Sequence, residues 1–370
     1  MHSEDITVLQ SFNIHPQTGF LPTPPPLLQL PAYFEAWEQL AHNLTPALQM
    51  GSFRELVIAL PVLDADVLSG DDQWERAYLL LSCFGQAWHW QTEEPNTILP
   101  PQLAIPWSKV ADRLERPAVI THSSIVLNNW RKINPEGPLE VENLACLMQF
   151  GGSQDEAWFY LITTHMEAQG STSLCKLVAL KRLLAAGEKE QAASLLTHLK
   201  TEVDALTASF SRVRERCDPY VFYHRVRPYL ASLTKVTFTG TDRLMRSYHG
   251  GSAAQSSLIQ SLDAAMGVER SGGEARYLNE MRRYMPAQHR AFVEWLEADR
   301  GAIETMKSDL GLSLLREHVL TALRNFRQAH MAVVHDYIML QAKVSAGPGA
   351  TGTGGTSPMR FLEAVKEGTR

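Results

Sequence analysis

Residues 312–337 read LSLLREHVLTALRNFRQAHMAVVHDY, and the spacing of their apolar members decides the fold class. Leu312, Leu315, Val319, Leu323 and Phe326 recur in steps of three and four, and the row resumes at Val333 or Val334 and Tyr337. That period marks a long helix with one buried stripe. His330 falls on the stripe, four residues after Phe326 and three before Val333. A histidine that faces a core must find a hydrogen-bond partner or a metal. His335 lies about 140° further round the helix, so the two cannot chelate one ion. No HExxH pair occurs elsewhere. Periodicity alone leaves two readings of His330: a core histidine satisfied by a carbonyl, or a lone protein ligand. The second is the situation of an axial histidine, for which a porphyrin provides the other four donors. Arg327, one turn earlier, is placed to pair with a propionate at the edge of such a group.

Working outward, the rest of the chain reads as mainly helical. The 370 residues are many for one core, which predicts a two-lobed arrangement. We place a small amino-terminal lobe at 1–150 and a large helical lobe at 151–370, with the boundary at Gly151-Gly152. Residues 1–35 read as irregular, because Gly19 to Pro26 is rich in proline. A helical pattern runs from about 32 to 95, a proline-rich break follows to Pro106, and Ile120 to Trp130 is a further helical candidate. Glu156 to Tyr229 reads as nearly continuous helix, interrupted where Asp218 can cap a helix starting at Pro219. Residues 235–252 read as loop, and helices are expected at about 255–267, 275–283, 287–298 and 311–342. The segment 345–357 is glycine-rich, and a short helix from Pro358 closes the chain.

Hydrophobic residues make up 45% and charged residues 20%, an ordinary globular balance. A formal net charge of -6 gives no general attraction for nucleic acid or an anionic membrane surface. No apolar run approaches ~18 residues, and the amino terminus lacks the basic-then-apolar order of a secretory signal. Cys83, Cys146, Cys175 and Cys217 lie far apart with no CxxC pair. A soluble, cytoplasmic protein in a reducing compartment is the expectation.

Six segments, in order along the chain, together resemble the indoleamine 2,3-dioxygenase family. They are GFLP (19–22), VLNNW (126–130), GGSAAQSS (250–257), MRRYMP (281–286), RQAH (327–330) and GTGGT (352–356). The third and fourth are the most distinctive, and the set spans nearly the whole chain. The resemblance implies haem b held in an all-helical lobe, O2 as co-substrate, and opening of the indole C2–C3 bond of L-tryptophan or a related indoleamine. The product from tryptophan is N-formylkynurenine, the first step of catabolism by the kynurenine route. It further implies an external reductant and a monomer.

Carried over by position, His330 matches the proximal histidine and Arg327 the arginine beside a propionate. Asp263 matches an acidic residue near that histidine, where a hydrogen bond would strengthen the imidazole as a donor. Phe159 matches the aromatic against the indole, and Thr163 the small hydroxyl above the iron. Phe222 and Tyr223 match an aromatic pair, and Arg227 the arginine for the substrate carboxylate. Thr163 and Arg227 are thus the catalytic candidates. Ser252 and Ala253 would line the pocket near the haem, and Thr353 would close over the substrate's ammonium and carboxylate. Three positions depart from the family pattern. Thr163 replaces a serine or smaller residue, Tyr223 a phenylalanine, and His122 an aromatic or small residue on the far wall of the indole pocket. These departures bear on which indole is preferred. Two other readings retain haem: monooxygenation or rearrangement of an indole amino acid in secondary metabolism, and a haem sensor without turnover. Product mass and a substrate-induced Soret shift separate them.

Overall fold

The computed structural model describes residues 2–344, with side chains to 342. Thr353 and the glycine-rich segment 345–357 lie outside the described residues. The fold is mainly α. In chain order the helices of the first half are α1 (Ser3–Ser11), α2 (Glu35–His42), α3 (Leu44–Met50), α4 (Phe53–Ile58), α5 (Asp71–Trp90) and α6 (Pro101–Arg113). The central helices are α7 (Gln154–Gln169), α8 (Ser171–Ala185), α9 (Lys189–Ser211), α10 (Val213–Arg216) and α11 (Pro219–Val221). Then come α12 (Ser257–Ala265), α13 (Gly272–Arg282), α14 (Ala287–Glu297), α15 (Arg300–Ser308), α16 (Leu310–Val334) and α17 (Leu340–Val344).

The two longest helices, α9 and α16, pack along each other and form the spine of the carboxy-terminal half. The stripe read from the sequence is the face that packs: Leu312, Val319, Leu323, Phe326, Val333 and Tyr337 are all buried. On α9 the matching row is Leu196, Leu199, Val203 and Leu206. Each such side chain stabilises the fold by about 1.5–3 kcal/mol relative to exposure. Caps fix where these helices begin. Asp309 accepts from the N–H groups of Gly311 and Leu312, both at 3.1 Å, and so starts α16. Asp218 accepts from Tyr220 and Val221, at 2.9 and 3.1 Å, and starts α11 at Pro219 as expected. Ser153 caps α7, and Glu156 three residues later reaches back to the N–H groups of Phe150, Gly151 and Gly152.

Several local expectations change. Residues 3–11 are helical, not irregular, because tertiary contacts outweigh a weak pattern: α1 buries Leu9, and buried Asp5 pairs with Arg182 of α8 at 2.9 Å. The proline-rich break holds α6, which starts with Pro101 and carries Pro106 inside. Proline at the first helical position loses no bond, and Pro106 forgoes one. Of the candidate Ile120–Trp130 only a π-helical turn forms, Ser123–Leu127. The supposed loop 235–252 contains strands. β4 (Leu233–Phe238) pairs in parallel with β1 (Ile98–Leu99) and antiparallel with β5 (Arg246–Tyr248). A second small sheet joins β2 (Arg131–Lys132) to β3 (Leu144–Ala145). α15 is a helix that the pattern does not mark, and α16 passes into a π-helical turn at His335–Met339 before α17. Among the described residues no helix is long and apolar enough to cross a membrane.

Candidate functional site

His330 is half-buried on α16, its ring edge-on to Phe210 of α9 with centroids 5.4 Å apart. Burial, with the neighbouring charge of Arg327, pushes its pKa down to about 4. The imidazole is therefore neutral at physiological pH, the form that binds a metal. Among the described residues no hydrogen bond reaches its ring. His335 turns outward and is exposed, bonded to Asp336 at 3.1 Å, so the two histidines diverge as the helical angle requires.

Arg327 is buried one turn before His330, and its Nη2 donates to Asp263 of α12. Asp263 also accepts from Arg270 Nη2 at 2.5 Å. Burial would raise the Asp263 carboxyl, but the two guanidinium groups outweigh it and hold the pKa below the usual carboxylate value. This corrects the expected bond from Asp263 to the histidine. A buried carboxylate is compensated first by full positive charge, and both of its oxygens are taken by arginines. Asp263 thus acts on His330 only through Arg327. The other terminal nitrogen, Arg327 Nη1, is buried with no hydrogen-bond partner.

The second part of the site is one face of α7. Phe159 and Thr163, four residues apart, are both half-buried there. The Thr163 hydroxyl donates to the Phe159 carbonyl at 3.3 Å. Phe222 packs on Phe159 with centroids 4.4 Å apart and on Tyr337 at 5.8 Å, so it bridges α7 to the end of the His330 helix. Phe222–Val226 form a π-helical turn, followed by a tight 3-10 turn, Arg227–Leu230. Such turns re-aim side chains that a regular helix would place elsewhere. Tyr223 and Arg227 are half-buried, with the guanidinium carbon 5.1 Å above the phenol ring. Burial lowers the pKa of Arg227, opposed by Tyr223, yet an arginine stays charged.

The backbone after Arg227 carries the GGSAAQSS segment against it. A Cβ on Gly250 would lie 2.1 Å from the Leu230 carbonyl oxygen, so only glycine allows this approach. The Gly251 N–H donates to the same carbonyl at 3.1 Å. Ser252 is half-buried and accepts from the Ala254 N–H at 3.3 Å, while Ala253 is exposed.

His122 is buried and not free to line a wall by itself. Its Nε2 lies 2.9 Å from Glu167 Oε1, and its backbone N–H donates to Gln255 Oε1 at 2.9 Å. The Ser256 hydroxyl donates to the same Glu167 oxygen at 3.0 Å. Glu167, Gln255 and Ser256 were not singled out by sequence reasoning. The signal for Glu167 was present: Phe159, Thr163 and Glu167 are spaced i, i+4, i+8 along α7.

A haem group fits these residues. Among the described residues no group of three or more His, Cys, Asp or Glu converges as a metal site. An iron on His330 would therefore take its remaining donors from a macrocycle. The buried, unpaired Arg327 Nη1 suits a propionate oxygen.

Comparison with known proteins agrees with this geometry. The family model described as indoleamine 2,3-dioxygenase matches residues 8–370. Mouse indoleamine 2,3-dioxygenase 1 is 30% identical over 98% of this chain and 95% of its own. An indoleamine 2,3-dioxygenase of Aspergillus nanangensis is 32% identical, covering 98% and 96%. A 6-hydroxytryptophan 2,3-dioxygenase of Fusarium equiseti is 31% identical, with the same coverage. A neutral histidine, a buried arginine one turn before it and an aromatic cluster reached through Tyr337 thus sit in a chain that belongs to the indoleamine 2,3-dioxygenase family, haem-dependent oxidoreductases acting on small molecules.

Proposed function

We propose that this chain adds both atoms of O2 across the indole C2–C3 bond of L-tryptophan or a close, including ring-hydroxylated, relative, giving N-formylkynurenine from tryptophan. The observation that supports the reading is a neutral, half-buried His330 on a helix whose continuation, at Tyr337, meets the Phe222–Phe159 contact next to the Arg227 turn. Haem b, when bound, supplies the redox chemistry, and a histidine ligand suits O2 binding better than a thiolate would. His330 holds the iron in this reading, and Arg327 steadies a propionate. Arg227 grips the substrate carboxylate with two parallel N–H donors, a geometry lysine cannot provide. Phe159, Phe222 and Tyr223 enclose the indole and keep water from its reacting edge. Ser252 and Ala253 border the haem side. Thr163 contributes a small side chain whose hydroxyl is occupied by the Phe159 carbonyl, which suits a reaction needing no general base there. The four free cysteines support a reducing, cytoplasmic setting, and the family resemblance supports an external reductant and a monomer.

The test is a spectrum of purified wild type followed by an ascorbate-driven assay with L-tryptophan. We expect a Soret band, a shift of that band on adding tryptophan, and a product two oxygen atoms heavier. His330→Ala should lose the band. A wild type without the band, or a variant that keeps it unchanged, overturns the reading. A product heavier by one oxygen would favour monooxygenation instead.

A further inference from the structure

The α7 face has polar chemistry at one end that the proposed reaction leaves unused. Phe159, at the start of the row, touches the Phe222 segment that carries Arg227. Glu167, eight residues later and about 12 Å along the axis, meets His122 and Ser256. Glu167 and its partners are all buried, with exposures of 2%, 6% and 6%. As a carboxylate Glu167 only accepts hydrogen bonds, and Oε1 already takes two. Oε2 is buried with no partner. A desolvated carboxylate oxygen left unsatisfied is costly, so it strongly favours any donor that reaches it.

From this we infer that the His122–Glu167–Ser256 cluster reads a hydrogen-bond donor on the benzo ring of the substrate, and so selects ring-hydroxylated indole amino acids over unsubstituted or alkylated ones. The inference rests on the proposed indole reaction and names its specificity determinant. The substrate's own ammonium is not the donor. It sits one carbon from the carboxylate that Arg227 holds, and Arg227 follows the Phe222 turn, which touches α7 at Phe159, eight residues before Glu167. A ring substituent is the group that extends the other way, past Thr163. His122 and Ser256 act as positioning residues, because their shared grip on Oε1 sets the direction of Oε2. An aromatic or small residue at 122 would release that grip.

The experiment compares dissociation constants, read from the Soret shift of the haem-loaded protein, for tryptophans bearing hydroxyl or methyl at positions 5, 6 and 7. At the best position the hydroxyl compound should bind at least about tenfold more tightly than its methyl counterpart, as a site built for a hydroxyl discriminates against its absence. Glu167→Gln presents an amide in place of Oε2 and should bring that ratio within about twofold. Glu167→Asp withdraws the oxygen by one methylene and should also lower it, which covers the case where the amide variant fails to take up haem. Equal binding of hydroxyl and methyl compounds by wild type overturns this inference alone, as does a ratio that survives both substitutions. Absence of any response to any indole overturns the reaction on which it rests.

Discussion

The histidine side of the site and the α7 side are built on different principles. His330 and Arg327 stand on the longest regular helix of the protein, and a buried Asp263 flanked by two arginines locks that helix to α12. The α7 side is assembled from four separate pieces: one face of α7, two π-helical turns and the turn at Gly250. One side is a rigid mount and the other a collection of short segments, each free to vary. A cofactor needs an unchanging ligand, whereas substrate choice changes by small steps. The division of backbone types follows that division of labour.

If the comparison holds, substitutions on the two sides should fail in different ways. The largest effect is expected at Asp263→Asn, which takes the carboxylate from buried Arg327 while Arg270 keeps Glu274. Removing one partner of a buried charge network costs about 3–5 kcal/mol. Urea denaturation should show this loss, and haem content should fall with it. Next comes Arg227→Leu, which in the proposed reading removes two charge-assisted hydrogen bonds to the substrate carboxylate. We expect kcat/KM for tryptophan to drop about 100-fold, with haem content and the urea midpoint preserved. The reverse pattern, stability lost at Arg227 and turnover alone lost at Asp263, would break the comparison.

The smallest effect concerns acid. His289 is buried on α14 beside Phe20, with ring centroids 4.5 Å apart. Burial, aided by Arg116, pushes its pKa down to about 3. Unfolded, it titrates near 6.5, so the unfolded chain binds this proton first as pH falls. Stability is complete above about pH 6.5 and erodes by up to about 1.4 kcal/mol per pH unit on the way to the folded value. His289→Gln should flatten that slope between pH 6.5 and 5 while leaving the Soret band of the histidine side unchanged. A slope identical to wild type would place the acid sensitivity elsewhere.

These two construction styles also explain what the sequence disclosed. The α16 stripe was legible because seven turns of regular period leave a repeated mark, and the position of His330 followed from it. The π-helical turns at 123–127 and 222–226 were not, since one extra residue per turn leaves no trace in composition. α1 escaped notice because its stability comes from Asp5 meeting Arg182, 177 positions away. The residues of the α7 side were located by family resemblance, which included Gln255 within GGSAAQSS but not Glu167, the other partner of His122. Glu167 is 45 positions distant, and nothing local announces that contact. Asp263 was found, but its bond was misdirected, because sequence position cannot say which of several neighbours a buried carboxylate will choose.

The parallel pairing of β1 with β4 carries a consequence for how such a protein diversifies. Ile98 and Leu99 lie beside Thr237 and Phe238, and Gln86 donates to the Ala231 carbonyl at 2.9 Å. The backbone just after Arg227 is therefore stitched to a stretch some 140 positions upstream. Lengthening or trimming the connection between Trp90 and Pro100 would shift that seam and, with it, the guanidinium. If Arg227 grips the substrate as proposed, natural variation can retune that grip through an exposed connection, without changing any residue of the proposed site.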